Sequence, residues 1–320
     1  MRVGGIMAQS ENSERNFTPA IIGTERTLFS QLFGLLRTMR PKQWLKNGFL
    51  FVPLVFDRKL FDAPHLLETL AGFALWCLIS STVYLINDLT DIEADRAHPA
   101  KRTRPLPSGQ LSKGVAIGTA IILPLISFPL AYLLKPAFAF TLFIYLVLQI
   151  AYSFRLKHIV LIDVMTLASA YLLRVIGGVL LVEVVRFSPW LYLFTTMLAL
   201  FLGFGKRRQE LVLLQENANN HRAILDQYTI GLLDEMIQIL TGATVLTYAL
   251  YTFSAEGLPA NHSMMLTIPF VLYGIFRYLY LIHVRGEGGA PDEVILRDRP
   301  LQATVLLWGF AVLLILYLFK

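Results

Sequence analysis

The chain has 320 residues, of which 55% are hydrophobic and only 16% are charged. Soluble domains carry about 25% charged residues. This deficit, together with a mean hydropathy of +0.58, excludes an ordinary soluble domain and indicates a chain embedded in lipid. The net charge is +6, and the single cysteine, Cys77, lies in an apolar run, so the chain forms no internal disulfide.

Residues 1–28 are polar and contain no apolar core of signal-peptide length, which predicts an N-terminal leader outside the membrane. Residues 29–320 form a single domain with nine apolar stretches, most of them close to the roughly 20 residues that cross a bilayer core. The predicted spans are 43–57, 65–89, 112–134, 137–155, 159–182, 189–212, 230–253, 264–284 and 301–319. We therefore expect an all-α polytopic membrane protein with nine transmembrane helices.

Lysine and arginine are distributed unequally between the two sides of these spans. Of the 28 basic residues, 21 fall on the side of the N-terminus and the even-numbered loops, and five fall on the other side. Because cytoplasmic loops carry an excess of lysine and arginine, the N-terminus and the basic loops are predicted to lie in the cytoplasm.

The most polar of these loops begins where the second predicted span ends, with "NDLTDIEADRAHPAKRTRPLPSG" (residues 87–109). If the helix continues, Asp88, Asp91 and Asp95 lie with Asn87 within an arc of about 100°. Carboxylate oxygens without histidine or cysteine suit Mg²⁺, which commonly connects carboxylates to substrate phosphates. The spacing therefore predicts a Mg²⁺ site, and the alternative is a solvated helix end.

Basic side chains follow these acids in the same loop, chiefly Arg96, Lys101 and Arg104. A cationic set beside carboxylates is the arrangement expected for a phosphorylated substrate, whose oxygens arginine and lysine bind. Two other interpretations stay open. The bases neutralise the neighbouring acids, or they contact anionic lipid.

A second inner loop offers one further carboxylate. Asp163 lies about one turn into the fifth predicted span and follows Tyr152 and Lys157. An ionisable residue inside a membrane segment is a functional candidate by default. Arg174 lies on the same face, but eleven residues make about 16 Å of helix, too far for direct contact with Asp163.

Two more basic segments lie on the predicted inner side, "RPKQWLKN" and "GFGKRRQE". Lys42 and Lys46 are four residues apart and, with Asn47, would share one face of an α-helix. The basic residues of "GKRR" are candidates for phosphate binding. The alternative is that they only set the membrane orientation, as a positive-inside signal. The additional basic candidates are Arg40, Lys42, Lys46, Lys206, Arg207 and Arg208.

The stretch "NDLTDIEADRAHPAKRTRPLPSG" resembles the N-D-x-x-D-x-x-x-D signature and basic tail of the UbiA superfamily of intramembrane prenyltransferases, and the resemblance covers about residues 35–320. "RPKQWLKN", "YSFRLKH", "SAYLLRVIGG" and "GKRRQEL" are most similar to its decaprenyl-phosphate phosphoribosyltransferase branch. Most of the superfamily has a second acidic motif, usually D-x-x-x-D. This chain has only Asp163 in that place, which disfavours a prenyl diphosphate donor.

The resemblance implies nine helices around a central cavity open to the cytoplasm, in the plasma (inner) membrane. It implies Mg²⁺-dependent transfer of 5-phosphoribose from 5-phosphoribosyl diphosphate (PRPP) to a polyprenyl monophosphate, for a lipid-linked pentose of the cell envelope. Asp88, Asp91 and Asp95 would hold Mg²⁺. Asp163 and Tyr152 would face the ribose or a second Mg²⁺ across the cavity. The implied phosphate- and substrate-binding residues are Lys42, Lys46, Asn47, Asn87, Arg96, Lys101, Arg104, Tyr152, Lys157, Lys206, Arg207 and Arg208.

Two other functions stay open at this stage. One is a prenyltransferase that moves a polyprenyl group from its diphosphate to an aromatic or other acceptor. The other is a membrane transporter without chemistry, which the position of the charges at helix ends disfavours. We expect the lipid bilayer and the two substrates as partners, no nucleic acid, and leave a homo-oligomer open.

Overall fold

The computed structural model describes residues 27–98, 101–184, 187–216, 223–287 and 291–318, and all regular elements within them are helical. The predicted leader, 1–28, lies outside the described residues except for its last two. The α-helices are α1 (Leu28–Met39), α2 (Phe51–Phe56), α3 (Ala63–Thr90), α4 (Ile92–Ala97), α5 (Lys113–Leu134), α6 (Pro136–Phe154), α7 (Ile162–Val182), α8 (Pro189–Glu216), α9 (Ile230–Ser254), α10 (Ile268–Tyr280), α11 (Pro291–Arg297) and α12 (Arg299–Leu318).

Seven helical segments of the described chain are long and apolar enough to cross a membrane. They are α3, α5, α6, α7, α9, α12 and the continuous run Ser263–Arg285, which contains α10. Each coincides with one predicted span to within a few residues. Capping side chains define several of their starts, since Ser112 accepts the Val115 amide at the start of α5 and Thr229 accepts that of Leu232 at the start of α9.

The two remaining predicted spans have a different form. Residues 43–57 lie on a 3₁₀ helix, Pro41–Leu50, followed by the short helix α2. Residues 189–212 lie in α8, whose 28 residues run without interruption through the charged "GKRRQE" sequence. The structure therefore shows seven spans by length and composition.

Helix α1 precedes the first predicted span and is amphipathic. Thr27 caps it by accepting the Ser30 amide at 3.2 Å. Its 12 residues make about 18 Å of helix, too short to cross a bilayer. Leu28 and Phe29 are mostly exposed, while Gly34 is buried against the loop that follows α4. The helix ends at Arg40, whose left-handed backbone (φ 54°) turns the chain into the 3₁₀ helix.

The 3₁₀ helix has three residues per turn, so residues three apart lie on one face. That face is formed by Trp44, Asn47 and Leu50, of which the last two are fully buried. Trp44 donates to the Ser81 hydroxyl of α3 at 3.1 Å. Lys42 and Lys46, four residues apart, are offset by about 120° in this geometry. The expectation that they share a face with Asn47 was therefore wrong, because it assumed an α-helix.

Helix α7 packs closely against the 3₁₀ helix and against α3 through two adjacent glycines. A Cβ atom on Gly178 would lie 2.2 Å from the Leu50 carbonyl oxygen, and one on Gly177 would lie 2.7 Å from the Trp76 ring of α3. No real Cβ tolerates such distances, so the missing side chains permit the close packing of three elements. Trp76 in turn packs against Phe138 of α6 in a buried apolar cluster.

Gly178→Ala is expected to lower the thermal unfolding temperature of the detergent-solubilised protein by several degrees. The added methyl group meets a backbone carbonyl, which moves only with its whole helix, and such overpacking costs about 1–3 kcal/mol. Gly242→Ala is the matched control, because a Cβ there has no neighbour within 4 Å and alanine favours the helix. Equal melting temperatures for the two variants would contradict this packing.

Candidate active site

Two carboxylates at the end of α3 and in α4 are almost completely buried: Asp88 is 3% exposed and Asp95 is 2% exposed. They share one guanidinium group, since Arg104 Nη1 lies 2.7 Å from Asp95 Oδ2 and 3.5 Å from Asp88 Oδ1. Arg40 Nη2 lies 2.6 Å from the same Asp88 oxygen. Two acids therefore converge on a cation, and arginines from two different segments hold them.

The helix is interrupted between these acids. Helix α3 ends at Thr90, Asp91 has φ −98° and ψ 9°, and α4 begins at Ile92. Asp91 is half-buried, and its amide donates to the Asn87 carbonyl at 3.0 Å. Within the part of the chain that the structure describes, no group of three or more His, Cys, Asp or Glu side chains is arranged as metal ligands. Asp88 and Asp95 thus form a pair joined by Arg104, and Asp91 lies at the junction between the two helices.

The basic residues of this loop divide into two groups. Lys101 Nζ lies 3.7 Å from Asp95 Oδ1 and joins Arg104 at the acidic pair. Arg96 instead binds Glu93 at 3.0 Å and donates to the Pro107 carbonyl at 3.3 Å, which ties α4 to the loop. The sequence did not connect Arg40 to these acids, because 48 residues separate it from Asp88.

Asp163 is fully buried and its two oxygens are both bound. Arg207 Nε lies 2.6 Å from Oδ2, and the Tyr228 hydroxyl donates to Oδ1 at 2.8 Å. Arg207 also donates to the Tyr152 hydroxyl at 3.2 Å and pairs with Glu210. Burial raises the pKa of the Tyr228 hydroxyl to about 12, so it remains a donor at neutral pH. These contacts favour a positioning role for Asp163 and Arg207 over contact with a substrate.

The other residues of the "GKRR" sequence also make contacts within the protein. Arg208 pairs with Asp234 of α9 and donates to the Ile282 carbonyl at 3.1 Å. Lys206 is half-buried, with Nζ 3.9 Å from Glu210. Lys157 is half-buried in a short 3₁₀ helix, Leu156–His158. Arg207 and Arg208 therefore connect α8 to its neighbours rather than projecting together into open space.

A cavity of about 130 Å³ lies between the 3₁₀ helix and helices α7, α8 and α11. Its wall is almost entirely apolar and includes Phe49, Tyr171 and Leu198, with the amine-bearing Lys46 as its one basic residue among those that line it. Such a wall suits an apolar segment of a ligand, and the lysine suits an anionic group.

The apolar helices are long enough to cross a bilayer, and they define a polytopic α-helical membrane protein. Buried carboxylates and arginines lie at the ends of these helices. Residues 54–291 match the UbiA prenyltransferase family, and the chain belongs to that family. The resemblance expected from "NDLTDIEADRAHPAKRTRPLPSG" is thereby confirmed.

Individual relatives agree with this. The chain is 34% identical over 294 residues to decaprenyl-phosphate phosphoribosyltransferase of Corynebacterium glutamicum, covering 89% of this chain and 87% of that protein. The protein of the same name from Mycobacterium tuberculosis is 34% identical over 279 residues, covering 86% and 91%. A UbiA homolog from Archaeoglobus fulgidus bound to DMAPP and Mg²⁺ has the same fold, with a TM-score of 0.65 at 20% identity over 88% of this chain and 99% of that one.

Asp163→Asn is expected to destabilise the protein by about 3–5 kcal/mol, because it removes a charge partner of a buried arginine. The measurement is thermal or denaturant unfolding in detergent. Glu93→Gln is the control, since it breaks an ion pair whose side chains are 48% and 77% exposed, and exposed pairs contribute little. An Asp163→Asn variant as stable as Glu93→Gln but inactive would instead assign Asp163 to the chemistry.

Proposed function

We propose that this protein transfers 5-phosphoribose from PRPP to a polyprenyl monophosphate of the decaprenyl type and releases pyrophosphate. The observation that carries the proposal is the 34% identity to decaprenyl-phosphate phosphoribosyltransferases over nearly the full length of both chains. The buried acids, the surrounding bases and the apolar cavity are the chemical groups that such a reaction requires. The product would be a lipid-linked pentose for cell-envelope polysaccharide.

We further propose nine membrane-crossing segments, with α8 and the combined 3₁₀ helix and α2 added to the seven shown. At 1.5 Å per residue, the 28 residues of α8 make about 42 Å, enough to cross a bilayer and extend its charged end beyond the core. The excess of lysine and arginine on one side supports an active site open to the cytoplasm and a location in the plasma (inner) membrane.

The acidic pair fits a divalent cation. Asp88 and Asp95 offer only carboxylate oxygens, the donors that Mg²⁺ prefers, and they already converge on one cationic group, Arg104 Nη1. Asp91 lies between them in sequence and is half-buried. These three residues would hold Mg²⁺ after the Arg104 guanidinium moves from between the pair, since the side chains are not arranged as a three-ligand set while it is there. When bound, the ion would neutralise charge on the diphosphate of PRPP as pyrophosphate leaves.

The arginines and lysines around the acids would bind the donor. The donors to phosphate oxygens would be the N–H groups of Arg104, Lys101 and Arg40. When the diphosphate binds, these side chains would partly release the carboxylates, and the freed N–H groups would bind the phosphate oxygens. In the transfer, the bond between the anomeric carbon of ribose and the diphosphate oxygen breaks, and its electron pair leaves with pyrophosphate. Cationic groups fixed near this oxygen stabilise the charge that develops there.

The part of the lipid acceptor next to its phosphate would occupy the apolar cavity, with the phosphate at Lys46. Its phosphate oxygen is already an anionic nucleophile, so forming the new bond to the anomeric carbon requires no general base. The contribution of the protein is then to position the oxygen in line and to exclude water, and positioning alone can lower a barrier by several kcal/mol.

The assay that tests this function incubates purified protein with Mg²⁺, labelled PRPP and a polyprenyl monophosphate. We expect label in the lipid phase, equimolar pyrophosphate, and loss of both when Mg²⁺ is chelated. Consumption of a polyprenyl diphosphate with an aromatic acceptor, and no transfer from PRPP, would assign the chain to prenyl transfer instead.

Asp91→Asn is expected to lower kcat/KM at least 100-fold while the protein stays folded. The change removes a charge that would act on the metal, and Asp91 is more exposed than Asp88 or Asp95, so the fold depends on it least. Glu93→Gln, two residues away on the exposed side of α4, should retain near-normal activity. Near-normal activity of Asp91→Asn would contradict the proposed role of this residue in metal binding.

A further inference from the structure

A second buried arginine lies in the middle of α7 and differs from Arg207 in its surroundings. Arg174 is only 6% exposed. Its Nε donates to Asn47 Oδ1 at 2.8 Å, its Nη1 to the Ala170 carbonyl at 2.6 Å and its Nη2 to the Tyr145 hydroxyl at 3.1 Å. The guanidinium therefore joins the 3₁₀ helix, α6 and α7.

All of these partners are neutral. Among the described residues no carboxylate lies within ion-pair distance of Arg174, whereas Arg207 has Asp163 and Glu210. Aspartate has the same shape as asparagine, so aspartate at position 47 would give Arg174 a counter-ion without changing the packing. A buried charge without a partner is costly, and ionisable groups inside membrane segments usually serve a function. One substitution, Asn47→Asp, would therefore neutralise the charge of Arg174, and the chain has asparagine at that position.

The charge lies beside the apolar cavity. The Arg174 guanidinium stacks on the Tyr171 ring, 5.5 Å from its centroid, and Tyr171 lines the cavity together with Phe49 and Lys46. Phe49 meets the same tyrosine ring edge-on at 5.2 Å. In an apolar, low-dielectric wall the field of a charge is weakly screened. The Arg174 charge therefore lies one side chain away from the cavity that Lys46 lines.

We infer that Arg174 is left without a counter-ion so that its charge attracts the phosphate of a substrate into this cavity. The inference deepens the proposed function, on which it rests. The ligand chemistry is a phosphate ester, which either PRPP or the polyprenyl phosphate supplies. Arg174 does not reach the reacting atoms; it raises affinity through its field while holding Asn47 in place.

Asn47→Asp separates these two effects of Arg174. Aspartate keeps the shape of asparagine and its contact with Arg174 Nε, but it adds the missing negative charge. The Ser80 hydroxyl, which accepts from Asn47 Nδ2 at 3.2 Å and donates to the Cys77 carbonyl at 3.0 Å, can rotate to donate to the new carboxylate instead. We expect a melting temperature equal to or above that of the wild type, a roughly tenfold rise in Kd for the phosphate ligand, and a smaller change in kcat.

Tyr145→Phe is the control variant. It removes one neutral hydrogen bond from the same guanidinium and leaves the local charge unchanged, so its Kd should stay within about twofold of the wild type. Binding is measured separately for PRPP with Mg²⁺ and for a polyprenyl phosphate in detergent. The ligand whose Kd rises in Asn47→Asp but not in Tyr145→Phe is the one that Arg174 attracts.

Two results would overturn the inference. One is an Asn47→Asp variant that is folded and binds both ligands as the wild type does. The other is an equal loss of affinity in Asn47→Asp and Tyr145→Phe, which would show that the network acts through structure and not through charge. The wild-type transfer assay tests the proposed function independently, because both variants are compared by their binding of PRPP and of polyprenyl phosphate, which needs no turnover.

Discussion

The Arg104 guanidinium between Asp88 and Asp95 is the interaction on which the charged end of the structure depends. Two carboxylates that are nearly sealed from water repel each other and lose hydration, so they need a cation beside them to offset both costs. Arg104 and Arg40 meet this requirement and, in doing so, join the loop after α4, the junction of α1 with the 3₁₀ helix, and the end of α3. Under the proposed function, the contacts that stabilise this end of the fold would also supply the acids for a metal and the arginines for phosphate.

Buried charge has two different roles in this protein. Asp163 and Arg207 satisfy each other and are completed by Tyr228 and Tyr152, which fixes α7 against α8 and leaves little capacity for a ligand. Arg174 has only neutral partners. Position along the sequence does not distinguish Asp163 from Arg174, because each is an ionisable residue in an apolar run. The partners decide, and they come from other helices.

The sequence predicted the seven apolar spans well because hydropathy over 20 residues depends little on the rest of the fold. It also predicted the acidic loop and the cluster made by Lys101 and Arg104. It did not predict that α3 stops at Asp91, since both a continuous and an interrupted helix fit the spacing of the acids. The 3₁₀ helix was missed for a similar reason, because the pattern of ten residues does not distinguish a period of 3.0 from one of 3.6. The packing of this segment also depends on Gly178, which lies far along the chain. The Arg40–Asp88 and Tyr228–Asp163 contacts join residues 48 and 65 apart, which no local pattern indicates.

The 3₁₀ helix explains how a hydrocarbon chain and a phosphate could be held by one short segment. Its buried face, Asn47 and Leu50, is fixed by Arg174 and by the close approach of Gly178. Because the period is three, fixing that face also fixes the neighbouring one, so Lys46 and Phe49 are set against the cavity. An α-helix would have distributed these side chains differently and brought Lys42 towards the direction of Lys46. The tighter helix thus places one cation at an apolar cavity, which suits a lipid whose only charge is its phosphate.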